Sequence, residues 1–141
     1  MRWTRMMNRI GRLTIAAALF LASCGGGGGG GGGPLAGRWA GPIQSDDGGP
    51  GVITLRFNQS GEGLTGTWVT QFGNPSFDNE GTLRGTVIDD TVQVLLDSAN
   101  PDVCDFDAVG IREGDDRITG SYQTTDACAT SRGGTFDVTR R

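Results

Sequence analysis

Residues 64–68 read LTGTW, and the same five-residue figure returns at 35–39 (LAGRW), 83–87 (LRGTV) and 118–122 (ITGSY). Each copy places a branched aliphatic residue, a glycine and a large residue two positions apart. Side chains alternate between the faces of a strand, so these three share one face and the residues between them share the other. Glycine inside a strand weakens it and marks a tight bend or a close approach of backbone. Four such positions on four strands point to a strongly coiled sheet that closes on itself. The spacings between copies, 29, 19 and 35 residues, are too uneven for a solenoid.

Outward from this figure the period of two continues. Ile53, Leu55 and Phe57 alternate with Thr54, Arg56 and Asn58, Val92, Val94 and Leu96 with Gln93, Leu95 and Asp97, and Phe136 and Val138 with Thr135, Asp137 and Thr139. Such alternation marks strands with one buried face. Eight strands are expected, at 36–43, 51–58, 63–70, 81–88, 91–97, 104–112, 117–124 and 133–139, with no helix. Within the sixth, Cys104, Phe106 and Ala108 share one phase while Val109 and Ile111 take the other, and a bulge would reconcile them. The expected fold is therefore all-β, an eight-stranded antiparallel up-and-down meander closed into a small barrel. Outward positions are mainly Thr, Arg and Gln, which predicts a monomer.

The connections QSGEG, DD and EGDD are short, whereas QSDDGGP, QFGNPSFDNE, SANPDV and TDACATSR are longer. In a meander, odd and even connections fall at opposite ends. All long loops are thus expected at one end, an open mouth, and the chain enters the barrel at the other.

Upstream of the barrel the composition changes. Arg2, Arg5, Arg9 and Arg12 precede an apolar run, Leu13 to Ala22, broken only by Thr14 and closed by Leu21-Ala22-Ser23-Cys24. A basic start, a short apolar stretch and small residues before a cleavage point describe a secretory signal, and the run falls short of the ~20 residues a spanning helix needs. LASC resembles the lipobox of bacterial lipoproteins. The resemblance implies that residues 1–23 are a cleaved signal peptide, and that Cys24 is acylated and becomes the N-terminus. Two or more acyl chains give stable anchoring. Residues 25–33 are nine consecutive glycines, so 24–34 reads as a lipidated cysteine plus a flexible tether with an end-to-end distance of about 17 Å. The barrel domain is then 35–141.

With Cys24 given to lipid, Cys104 and Cys128 remain, in a compartment that permits a disulfide. All 16 acidic residues but only eight of the 12 arginines follow Cys24, which leaves the domain near −8. That charge argues against nucleic acid or anionic lipid as a partner of the domain. There is no histidine, and no serine or cysteine has a recognisable activating partner, so no catalytic residue and no cofactor is assigned. Asp46, Asp47, Asp78, Glu80, Asp102 and Asp126 gather at the presumed mouth, but Glu62, Asp89, Asp90, Glu113, Asp115 and Asp116 gather at the other end. The charge is not focused, no calcium-loop motif is present, and no metal is assigned.

LAGRW, GLTGTW, TLRGTV, ITGSY and GGTFDVT fall in an order and at spacings similar to those of the avidin and streptavidin family, and Gly37-Arg38-Trp39 resembles the G-x-W of lipocalins. Both families are closed barrels that carry a ligand at one mouth. By that resemblance Trp68 stands where the avidin family has a ligand-contacting aromatic, and Thr70 and Ser45 match its hydroxyl partners. Its strand-one asparagine is replaced by Gly41, however, and its remaining tryptophans by Val92, Ile118 and Phe136. The resemblance therefore carries the fold and not biotin binding.

Trp39, Trp68 and Tyr122, each two residues after an inward glycine, are the candidate ligand-binding residues. Phe72 and Phe77, on the longest loop, are candidate anchors for a partner protein. The expected function is a non-catalytic binding module for a small apolar ligand or a partner protein, on a lipoprotein of the cell envelope. The alternative is a structural envelope protein with a filled core.

Overall fold

In the computed structural model, residues 33–141 are described. Residues 1–32, on which the expected signal peptide, the lipidated Cys24 and most of the expected tether fall, lie outside the described residues. Eight strands follow one another: β1 (Gly37–Ser45), β2 (Gly49–Ser60), β3 (Gly63–Phe72), β4 (Asn79–Ile88), β5 (Thr91–Ser98), β6 (Phe106–Glu113), β7 (Arg117–Thr124) and β8 (Gly133–Arg140). Each pairs antiparallel with the next, and β8 returns to β1, so the sheet is a closed barrel. Closure leaves no unpaired edge. The all-β meander expected from the sequence is the observed fold.

The inward set follows the alternation. Leu64, Trp68, Leu83, Val92, Leu96, Ile118 and Val138 are buried and join one core with Trp39, Leu55 and Phe57. The glycines of the repeated figure show why the sheet can coil so tightly. A Cβ on Gly66 would overlap the carbonyl oxygen of Arg56, and one on Gly85 that of Gln93. Gly41, inward between Trp39 and Ile43, would overlap Asp137 of β8 in the same way. There the β1–β8 ladder is interrupted between Ala40↔Thr139 and Ile43↔Phe136, where Pro42 has no N–H to give.

Four details depart from the sequence reading. The β1–β2 connection is tight: Asp46–Gly48 alone link the strands, because Gly49 at φ +73° reverses the chain at once. β6 has no bulge. Its register to β5 and β7 is continuous from Phe106, and Val109 and Ile111 simply face outward while Gly110 fills the inward place. Gly37 is exposed at the lip of β1 rather than inside the sheet. Among the outward positions, expected to be mainly Thr, Arg and Gln, Val52, Ile88, Val109 and Ile111 are apolar and about half exposed.

One end of the barrel is sealed by its own chain. Leu35 and Trp39 are fully buried there, and the Trp39 indole N–H donates to the Leu35 carbonyl at 2.9 Å. The Leu35 N–H donates to Oε1 of buried Gln59 at 2.8 Å, whose Nε2 donates to Gly61 at 2.9 Å. Arg140 covers the outside. Its guanidinium carbon lies 4.5 Å from the Trp39 ring centroid, and it donates to the carbonyls of Ala36, Pro34 and Asp115. The short turns β2–β3, β4–β5 and β6–β7 complete this end. Each gives a carbonyl (Glu62, Asp90, Asp116) to the N–H of a further strand at Val87, Arg112 and Arg140.

Candidate functional site

The opposite end carries the β1–β2, β3–β4, β5–β6 and β7–β8 connections, and here the core is not full. A cavity of about 120 Å³ opens between Ile43, Ile53, Trp68, Leu96, Phe106 and Tyr122, rimmed by Phe72, Phe77, Val103 and Arg132. Below it, a wholly apolar gap of about 20 Å³ runs between Leu55, Phe57, Val94 and Ile118 toward the sealed end. That gap is about one water in size and offers no polar partner. The usable space is the mouth.

Aromatic rings form its walls. Trp68 meets Phe106 edge-on at 6.3 Å, and Phe106 meets Tyr122 at 5.7 Å, within the range where such pairs attract. The Trp68 N–H is already spent, donating to the carbonyls of Thr82 at 3.0 Å and Asp97 at 3.1 Å. Its ring thus offers a flat apolar face and no donor. The Tyr122 phenol donates to the Gln44 carbonyl at 3.5 Å. Burial pushes it above its ordinary value of 10.0; the neighbouring Ser45 opposes this and the negative charge of Asp46 adds to it. The phenol is therefore neutral at physiological pH.

Phe77 ends a single 3-10 turn, Pro75–Phe77, capped by Asn74, whose side chain accepts from the Ser76 N–H. The turn leans over the mouth. Phe77 lies edge-on to Phe72 at 6.5 Å, packs close to Gly48 of the β1–β2 turn, and has the Arg132 guanidinium 6.0 Å from its ring centroid. Arg132 in turn pairs with Asp47 at 3.3 Å. The Asp78 carboxylate accepts from the Phe72 N–H at 2.6 Å and closes the base of the loop.

Cys104 and Cys128 form a disulfide with Cα atoms 5.9 Å apart. It ties the β7–β8 loop to the segment before β6, and so fixes Val103 at the rim. A second concavity, about 920 Å³ of open space, lies on the outer face of β3–β6 against Thr65, Arg84, Gln93 and Val109. It is the saddle of the twisted sheet rather than an enclosed site. Among the described residues no group of three or more His, Cys, Asp or Glu side chains converges as metal ligands would.

Of the residues singled out in the sequence, Trp68 and Tyr122 line the cavity together, with Thr70 and Ser45 beside them. Trp39 does not; it belongs to the seal at the other end. Phe72 and Phe77 are half-buried and line the same mouth. Asn79 was not singled out. It sits in a run of loop-like residues, NPSFDNE, whose last two already belong to β4. Counting inward by twos from Leu83 through Gly81 reaches it.

The fold and its mouth define the class: a closed eight-stranded meander barrel, sealed at one end, with one ring-sized opening at the other. No family model and no curated protein matches the chain. Among solved structures it is similar to EF1p2_mFAP2b bound to DFHBI (TM-score 0.65, 14% identity, 77% of this chain and 94% of that one). It is also similar to the redesigned β-barrels mFAP1 bound to DFHBI (0.63, 17%, 77% and 95%) and b11L5F_LGL (0.62, 16%, 77% and 92%). At these identities the likeness is one of fold.

Proposed function

We propose that the protein is a non-catalytic binding barrel of a bacterial cell envelope, anchored by lipid at Cys24 and monomeric, that takes a small apolar molecule into its mouth. The observation that carries this reading is the contrast inside the barrel. One end is plugged by Leu35, Trp39 and Gln59, while the other keeps an aromatic-walled space of about 120 Å³. Apolar enclosed pockets with few polar groups are where small ligands bind. Two barrels of similar fold were solved bound to DFHBI, which supports the reading that a meander of this size has room for a ligand.

Residue 35 enters at the sealed end, so an anchor at Cys24 with a glycine tether directs the mouth away from the membrane. Phe72 and Phe77 then serve as the rim of the ligand site; an envelope protein as partner would have to dock on that rim. The test is intact-mass measurement of protein purified from its own membranes, with extraction of whatever small molecule accompanies it. An acylated cysteine at the N-terminus and a co-purifying apolar compound are expected. A retained leader overturns the anchor. A folded barrel that binds no single-ring compound from a broad set overturns the ligand reading.

A further inference from the structure

One buried side-chain polar atom at the mouth cavity has no partner. The Thr70 hydroxyl donates to the Asn79 carbonyl at 3.2 Å. The Asn79 side-chain oxygen accepts twice, from the Glu80 N–H and from the Ser98 hydroxyl, both at 2.9 Å. Because the Glu80 N–H can only donate, that contact fixes which end of the carboxamide is oxygen. Nδ2 is left shielded from solvent with no acceptor, alone in this among the buried side-chain polar atoms of the described residues. A buried donor without a partner is costly, and a native fold that keeps one calls for a reason.

Asn79 stands at the foot of the loop that bears Phe77, and it lines the cavity. Phe77, which lies against Gly48 and beside Arg132, lines the same cavity. We propose that the ligand is a ring-sized apolar molecule carrying a hydrogen-bond acceptor such as a carbonyl oxygen, that it enters by displacing the 3-10 turn, and that it receives a hydrogen bond from Asn79 Nδ2. The size limit follows from the volume, about 120 Å³, which is near that of an apolar cavity that takes up benzene. The acceptor requirement follows from the stranded donor.

This inference rests on the ligand reading above, and the experiment separates the two. The full-length protein in lipid nanodiscs, with empty discs as the partition blank, is titrated with acetophenone and with ethylbenzene, which match in size but differ in the carbonyl. Acetophenone is expected to bind about three- to tenfold more tightly, the range one added hydrogen bond supplies, and to shift the Asn79 side-chain amide resonances. In Asn79→Ala and Asn79→Asp variants whose circular dichroism is unchanged, the preference should disappear while ethylbenzene binding persists. Equal binding of both probes, or an Asn79 amide that does not move, overturns the role of Asn79 and leaves the ring-binding mouth intact. Binding of neither probe overturns both.

Discussion

The two ends of the barrel are made from the same alternating strands, yet one is filled and the other is not. At the sealed end the repeated figure contributes Trp39, and the segment before β1 folds back to set Leu35 beneath it; the backbone polar groups are met by Gln59 and Arg140. At the mouth the same figure contributes Trp68 and Tyr122, but no segment returns to cover them except a loop held by Phe77 and Arg132. The large residue that ends the figure is therefore core or pocket wall according to what the neighbouring chain does. The motif alone does not distinguish the two.

The largest effect that would test this contrast is Trp39→Ala. Removing a fully buried tryptophan is expected to cost about 3–5 kcal/mol, read as a loss in the denaturant midpoint; a loss as small as that of a rim residue would mean the end is not sealed. Next is Gly41→Ala, expected to cost about 2–4 kcal/mol because the added methyl meets the backbone of β8 at the interrupted seam. Replacing Cys104 and Cys128 by serine removes a link across 24 residues, expected to cost about 3 kcal/mol in the chain-entropy account, with the loss of protection in hydrogen exchange concentrated at the mouth. Phe77→Ala should cost less than about 1 kcal/mol while speeding both association and release of a ring-sized probe. A large stability loss there would make Phe77 core.

Smallest is the response to pH. The phenol of Tyr122 is raised above 10.0 chiefly by burial, so its neutral form favours the fold below that pH and the contribution is lost as pH rises through the raised value. Tyr122 is the sole tyrosine, and phenolate absorbance reads it directly; a midpoint at or below 10.0 would show the mouth open to water. On the outer face Arg117 donates to Asp137 at 2.7 Å and holds its carboxyl below the ordinary 3.8. That contribution is in place above about pH 4 and fades as pH falls through the lowered value. Asp137→Asn should slightly flatten the acid limb of the stability curve.

The fold was legible because each strand repeats a two-residue period, and a register slip would turn Leu55 or Val94 to solvent. β6 misled because Val109 and Ile111 are apolar yet outward, and sequence hydrophobicity does not record that Gly110 takes the inward place. The β1–β2 connection misled because QSDDGGP looks like a loop, whereas one left-handed glycine at 49 lets both strands run on to Ser45 and Gly49. Trp68 and Tyr122 were legible as pocket candidates from their place beside inward glycines. Asn79 was not: its significance lies in a hydrogen bond it fails to make, and that is decided by Glu80 and Ser98 in three dimensions.

Arg140 also holds the start of β1 and the end of β8 side by side. With Pro34 and Ala36 bound to its guanidinium, and the Arg141 N–H donating to the Arg38 carbonyl at 2.9 Å, the first and last strands begin and finish at one point. The barrel is thus suited to circular permutation. A short peptide could join residue 141 to residue 34, and new ends cut between 125 and 132 would leave every strand with both neighbours, provided the bridge at Cys128 is kept on one of them.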